Sequence, residues 1–165
     1  MTPTTRTIAR TVMLAAVAVA LSPYSLPIGA AKVFPFQHML NVIAAVTVGP
    51  WWAMVAAAVA STLRNAMGTG TLLAFPGSMI GAVLAGLTFR ATRNVFATAG
   101  AEVVGTGLLG GLVGAAIVAP MFMDRPMALG ALLVPFIGSA AAGAVLGVLM
   151  VRILDRAGVI RLTDD

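Results

Sequence analysis

The sequence predicts an all-α integral membrane protein, a bundle of six transmembrane helices with both termini in the cytoplasm. Three observations carry this expectation. Of the 165 residues 60% are hydrophobic and only 9% are charged, and the mean hydropathy is +1.04. Soluble domains carry about 25% charged residues, so most of this surface must face lipid. Second, Gly, Pro and charged residues cut the apolar sequence into six segments. Third, the basic residues gather at the ends of those segments, as topology signals do.

The first segment runs from Ile8 to Leu21 and stops at Ser22-Pro23. Arg6 and Arg10 ahead of Val12–Leu21 have the outline of a signal peptide. No small-x-small cleavage site leads into a polar mature region, so this is read as the first membrane helix. A polar stretch, Tyr24 to Gln37, follows. The second segment, His38 to Val48, ends at Gly49-Pro50, and the third opens at Trp51-Trp52 and ends near Leu63. The fourth spans Pro76 to Phe89, and the fifth Ala99 to Ala119, closed by Pro120. The sixth covers Met127 to Leu154, with a bend expected at Pro135. Segments two and three are too short for lipid-facing spans, which need roughly 20 residues. They are expected inside the bundle, beneath a water-accessible depression.

Charge sets the orientation. With six spans, Arg6, Arg10, Arg90, Arg93, Arg152, Arg156 and Arg161 fall on one side and Lys32, Arg64 and Arg125 on the other. The positive-inside rule places the seven in the cytoplasm, in the inner (plasma) membrane, with the 165 residues forming one membrane domain. The Tyr24–Gln37 and Arg64–Phe75 segments then share the outer face, while Trp51 and Trp52 belong to the cytoplasmic interface. A pI near 11.5 is explained by these flanking arginines, so no nucleic-acid partner is expected.

The outer segments hold the candidate ligand-binding residues. Gln37, His38 and Asn41 sit at the outer end of the second helix, with His38 and Asn41 on one face. Ser61, Arg64 and Asn65 end the third helix. Gly68-Thr69-Gly70-Thr71 lacks the Lys-Ser/Thr of a phosphate loop and reads as a flexible lid, with Phe75 able to stack on a ring and Ser78 just beyond. Gln37, His38 and Asn41 have a structural alternative, capping the helix and tying the loop down, and Arg64 could pair with the carbonyls ending its helix. Asn65, whose amide suits a neutral polar ligand, is the stronger ligand candidate of the third helix. Glu102, the sole acidic residue between Met1 and Asp124, is placed in the first turn of the fifth helix, near the interface and within reach of Arg90 or Arg93. One His without Cys or a second His makes no metal site, and without Cys there is no thiolate chemistry. No catalytic set is found, so no enzyme activity and no cofactor are expected. Small-xxx-small pairs recur: Thr11/Ala15, Ala16/Ala20, Gly77/Gly81, Gly107/Gly111, Gly110/Gly114 and Gly143/Gly147.

Residues Ser22 to Leu87 resemble the thiazole-specific S component (ThiW) of energy-coupling-factor transporters. The resemblance rests on Pro27-Ile28-Gly29 with Lys32 and Pro35, on Gln37-His38 and Asn41-Val42, and on Gly49-Pro50. It continues through Ser61-Thr62-Leu63-Arg64-Asn65, Gly68-Thr69-Gly70 and Leu72-Leu73-Ala74-Phe75-Pro76-Gly77-Ser78-Met79. It implies a six-helix protein that captures a small-molecule thiazole ligand, hydroxyethylthiazole, in an outward pocket. It also implies partners: a transmembrane coupling subunit, contacted through Thr11, Ala15, Ala16 and Ala20, and two cytoplasmic ATPase subunits. A neutral thiazole alcohol wants an aromatic face, for which Phe75 with Phe34 or Phe36 are the candidates, and one or two hydrogen bonds. An S component for another precursor, such as hydroxymethylpyrimidine, and a non-transport membrane protein such as an assembly factor fit the same composition.

Overall fold

The computed structural model describes residues 4–28 and 31–162. Gly29 lies outside the described residues. Six helices form: α1 Thr5–Ala20, α2 Pro35–Thr47, α3 Pro50–Ala66, α4 Ala74–Thr92, α5 Val95–Phe122 and α6 Leu129–Arg156. A two-stranded antiparallel hairpin, β1 Leu26–Ile28 with β2 Ala31–Val33, interrupts the first polar stretch, where sequence suggested only loop.

Local chemistry sets the helix starts. The Thr4 hydroxyl accepts from Thr7 N–H at 3.3 Å and caps α1. Pro35 and Pro50 occupy first turns, where a missing N–H costs nothing, and Gly49 takes the φ of +82° that the turn between α2 and α3 requires. Asn94 caps α5, accepting from Phe96 N–H (2.8 Å) and Ala97 N–H (3.1 Å). The fifth helix therefore starts four residues before the expected Ala99. It also continues through Pro120 to Phe122, with wide i→i+5 turns over Val103–Gly110 and Gly114–Val118.

Close glycine contacts define the topology. On α4 and α5, Gly77 meets Gly110 and Gly81 meets Gly105, so these helices run antiparallel with their backbones nearly touching. Gly107 packs on Ile137 and Gly111 on Leu133, setting α6 antiparallel to α5. Along α6, Gly143 receives Pro35 and His38, and Gly147 receives Val42, so α2 runs parallel to α6. Gly143 is near the middle of the 28-residue α6, so α2 begins about 20 Å down that helix. The backbone N–H of Phe34 fixes this start by donating to the Ser139 hydroxyl at 3.1 Å.

Every residue from Gln37 to Ala45 is buried, so α2 is the central helix, as its length required. The third helix differs from expectation. It is 17 residues long, buries Ala53, Ala57 and Ala60, and exposes Trp51, Val55, Val59 and Leu63 along its outer face. Val12, Met13 and Val17 on α1, Val104, Leu108 and Leu112 on α5, and Val145, Leu149 and Ile153 on α6 are exposed likewise. An exterior this apolar is a lipid-facing surface. By length and composition three helices, Ala74–Thr92, Val95–Phe122 and Leu129–Arg156, can cross a membrane. The chain is a multi-pass membrane protein. The remaining helices, of 16, 13 and 17 residues, are shorter.

Candidate functional site

The late start of α2 leaves space above it. A cavity of about 340 Å³ lies there, at the end of the bundle where the segments following α1, α3 and α5 meet. That is the lower end of the roughly 300–1,000 Å³ typical of small-molecule pockets. Phe34, Gln37 and His38 form its floor at the start of α2. Arg64 comes from the end of α3, Thr69–Thr71 from the following turn, Leu73 from the residue before α4, Gly77 and Ser78 from α4, and Ala131, Pro135 and Phe136 from α6. Pro135 has no N–H to give the Ala131 carbonyl one turn earlier, and both residues line this wall.

Beneath the floor lies a buried polar cluster centred on Glu102. Its Oε1 is 2.9 Å from His38 Nδ1, accepts from Asn41 Nδ2 at 2.9 Å, and lies 2.9 Å from the Thr106 hydroxyl. Asn41 Nδ2 also donates to the Ser78 carbonyl (3.2 Å), and Thr106 Oγ1 lies 3.0 Å from the Gly77 carbonyl. The cluster thus ties α2, α4 and α5 together. Glu102 Oε2 is buried without a partner. This corrects the sequence expectation. Glu102 lies two turns inside α5 because the helix begins at Val95, and it is fully buried rather than interfacial. Among the described residues its only basic partner is His38, whereas Arg93 packs over the Phe89 ring at 5.7 Å. A carboxylate held in a low-dielectric interior costs several kcal/mol unless paired, and hydrogen bonds to a charged group each return roughly 1.5–3 kcal/mol.

Arg64 forms the second polar feature. It is buried, its Nη1 donates to Gln37 Oε1 at 3.1 Å, and its guanidinium lies over the Phe34 ring at 5.1 Å. Nearby the Ser22 and Thr69 hydroxyls are 3.1 Å apart, so the segments after α1 and α3 meet. The Gly68–Thr71 stretch is a hydrogen-bonded turn rather than the free lid its composition suggested. Thr69 N–H (2.9 Å) and Gly70 N–H (3.0 Å) both donate to the Arg64 carbonyl, and Gly68 takes φ +71°.

Of the residues singled out from sequence, Gln37, His38, Arg64 and Ser78 line the cavity. Asn41 stands behind His38, in the cluster. Asn65 does not reach the cavity; its amide donates to the Ser61 and Thr71 carbonyls at 2.8 and 3.1 Å and holds the turn in place. Ser61 is fully buried away from the cavity with its hydroxyl unpartnered, and Phe75 and Phe36 are absent from the lining. The aromatic walls are Phe34 and Phe136 instead. Sequence reasoning missed Phe136 because a Phe in an apolar helix carries no signal. It singled out Glu102 but placed it at the interface, although Asn94, a good N-cap, marks the true helix start. On α1, Thr11 and Ala15 are buried in the bundle, while Ala16 and Ala20 face outward. The 3.6-residue period puts positions 11, 14, 15 and 18 on one inner stripe, so the Thr11/Ala15 pair serves internal packing.

A comparison with curated proteins finds no match. The family described as thiamine-precursor transporter protein (ThiW) matches residues 8–157, which takes in α1 from Ile8 onward, the other five helices and every cavity-lining residue. On that match the chain belongs to the ThiW family of thiamine-precursor transporters.

Proposed function

We propose that this chain is the substrate-binding S component of an energy-coupling-factor importer of the plasma membrane, capturing hydroxyethylthiazole from the outer face. The observation that carries the reading is the cavity above α2, small and mostly apolar, with a few convergent polar groups. Phe34 and Phe136 line the cavity and offer a five-membered heteroaromatic ring the offset or edge contacts from which aromatic rings gain. Its hydroxyethyl arm reaches toward His38, with Gln37, Arg64 and Ser78 as the remaining hydrogen-bonding groups. The start of α1 and the segment after α6 lie at the end opposite the cavity, where Arg6, Arg10, Arg90, Arg93, Arg152, Arg156 and Arg161 gather. This supports an outward-facing site by the positive-inside rule.

Energy for uptake comes from a transmembrane coupling subunit and two cytoplasmic ATPase subunits. The face of α1 open to a partner carries Ala16 and Ala20 beside Val12, Met13 and Val17. The test is copurification of the tagged chain with a coupling subunit and its ATPases, followed by ATP-dependent uptake of labelled hydroxyethylthiazole into vesicles. Uptake without those subunits, or uptake of hydroxymethylpyrimidine in preference to the thiazole, defeats the reading.

A further inference from the structure

We infer that Glu102 is a positioning residue of the ligand site: it fixes His38 as the Nδ1–H tautomer, so that Nε2 presents a hydrogen-bond acceptor to the cavity and selects a ligand carrying a hydroxyl. This rests on the proposed reading that His38 faces the ligand.

The argument is an inventory of protons around one oxygen. Asn41 Nδ2, 2.9 Å from Glu102 Oε1, can only donate. The Thr106 hydroxyl has one proton, which it can give either to Oε1 at 2.9 Å or to the Gly77 carbonyl at 3.0 Å. Asn41 thus sets Oε1 to accept, and a carboxyl proton on Oε2 finds no acceptor, because that buried atom has no partner. His38 Nδ1, 2.9 Å from Oε1, joins Asn41 as a donor to it. A ring nitrogen without a proton would instead oppose its lone pair to those of the carboxylate. With Nδ1 committed to the carboxylate, Nε2 on the far edge of the ring is the polar atom that His38 can offer the cavity it lines. A carboxylate behind a histidine fixes tautomer and ring orientation in the same way at metal sites. Here it leaves Nε2 as the acceptor. A ligand hydroxyl donates to it; an ether, or an alkyl chain of the same length, cannot. The pocket therefore reads the alcohol by its proton.

The chain has a single histidine, so its imidazole nitrogens can be observed without assignment. The experiment is nitrogen-15 NMR of the full chain, labelled at histidine, in lipid nanodiscs. The expected spectrum shows a protonated Nδ1 and a bare Nε2, with the Nε2 signal moving on addition of hydroxyethylthiazole. A protonated Nε2, whether alone or with Nδ1, overturns the inference. Calorimetry adds a readout that a merely structural role does not move: the ratio of affinities for hydroxyethylthiazole and its O-methyl ether. We expect a ratio of roughly tenfold or more, the size of one hydrogen bond. It should persist in Glu102→Gln, which keeps an acceptor oxygen, and fall toward one in Glu102→Leu. A Glu102→Leu protein that binds both compounds more weakly at an unchanged ratio has lost only packing, and overturns the inference. If that variant does not fold, the wild-type tautomer decides. If wild-type protein binds neither compound, the thiazole reading fails, while the tautomer still reports whether Glu102 sets the histidine.

Discussion

A methyl group on Gly143 would lie 2.5 Å from His38 Cβ, so the glycine on α6 sets how far down the bundle α2 begins and how deep the ligand cavity is. The Pro35 carbonyl presses on the same point. Replacing Gly143 by Ala must push α2 away from α6. We expect a loss of about 1–3 kcal/mol in stability, the usual cost of overpacking, together with weakened ligand binding. Thermal unfolding in detergent with and without ligand measures both. An unchanged melting temperature contradicts this account of the cavity floor.

Arg64 holds the cavity wall by a hydrogen bond to Gln37 and by its position over Phe34. Lysine keeps the charge but not the planar fork. We expect Arg64→Lys to lower ligand affinity by about 1–2 kcal/mol, roughly a five- to thirtyfold rise in Kd. Gln37→Ala should reproduce much of the loss, and a double-mutant cycle should find the two coupled. Additive effects contradict the pairing.

Asn65 acts through the turn after α3. Its two hydrogen bonds to backbone carbonyls predict that Asn65→Ala costs about 1–2 kcal/mol of stability. Its effect on ligand affinity should be smaller than that of His38→Ala. Denaturation of the two variants beside calorimetry checks the order, and a larger binding loss at Asn65 reverses the placement.

The two aromatic candidates separate in the same way. Phe136 lines the cavity and Phe75 does not. Phe136→Ala should raise the Kd about tenfold, the loss of one aromatic contact with its buried area, while Phe75→Ala leaves binding near wild type. Equal effects contradict the assignment of the wall.

The sequence made much of this legible for physical reasons. Scarce charges required lipid, and punctuation by Gly and Pro separated six helices at nearly their observed positions. A second segment too short to span lipid had to be central, and α2 is. Gln37, His38, Arg64 and Ser78 were identifiable because polar side chains beside apolar helices have few uses. What escaped notice depended on where a helix starts or which way it faces. Taking α5 from Ala99 instead of Val95 moved Glu102 from the bundle interior to an interface, and the wide turns over Val103–Gly110 alter which residues share a face. Asn65 and Ser61 look like ligand groups by type, yet one turns to the backbone and the other is sealed in the core. Phe136 gave no warning, since an apolar residue among apolar neighbours becomes a wall only when a second helix stops short of it.

The central claim is that the cavity above α2 binds the thiazole alcohol through His38. Calorimetry of the purified chain with hydroxyethylthiazole, thiamine and hydroxymethylpyrimidine, repeated with His38→Ala, tests it most directly. The account predicts one thiazole per chain, bound more tightly than the other two, and at least about a tenfold loss in the variant. No heat with the thiazole, equal affinity for all three compounds, or a His38→Ala protein that binds like wild type would contradict it.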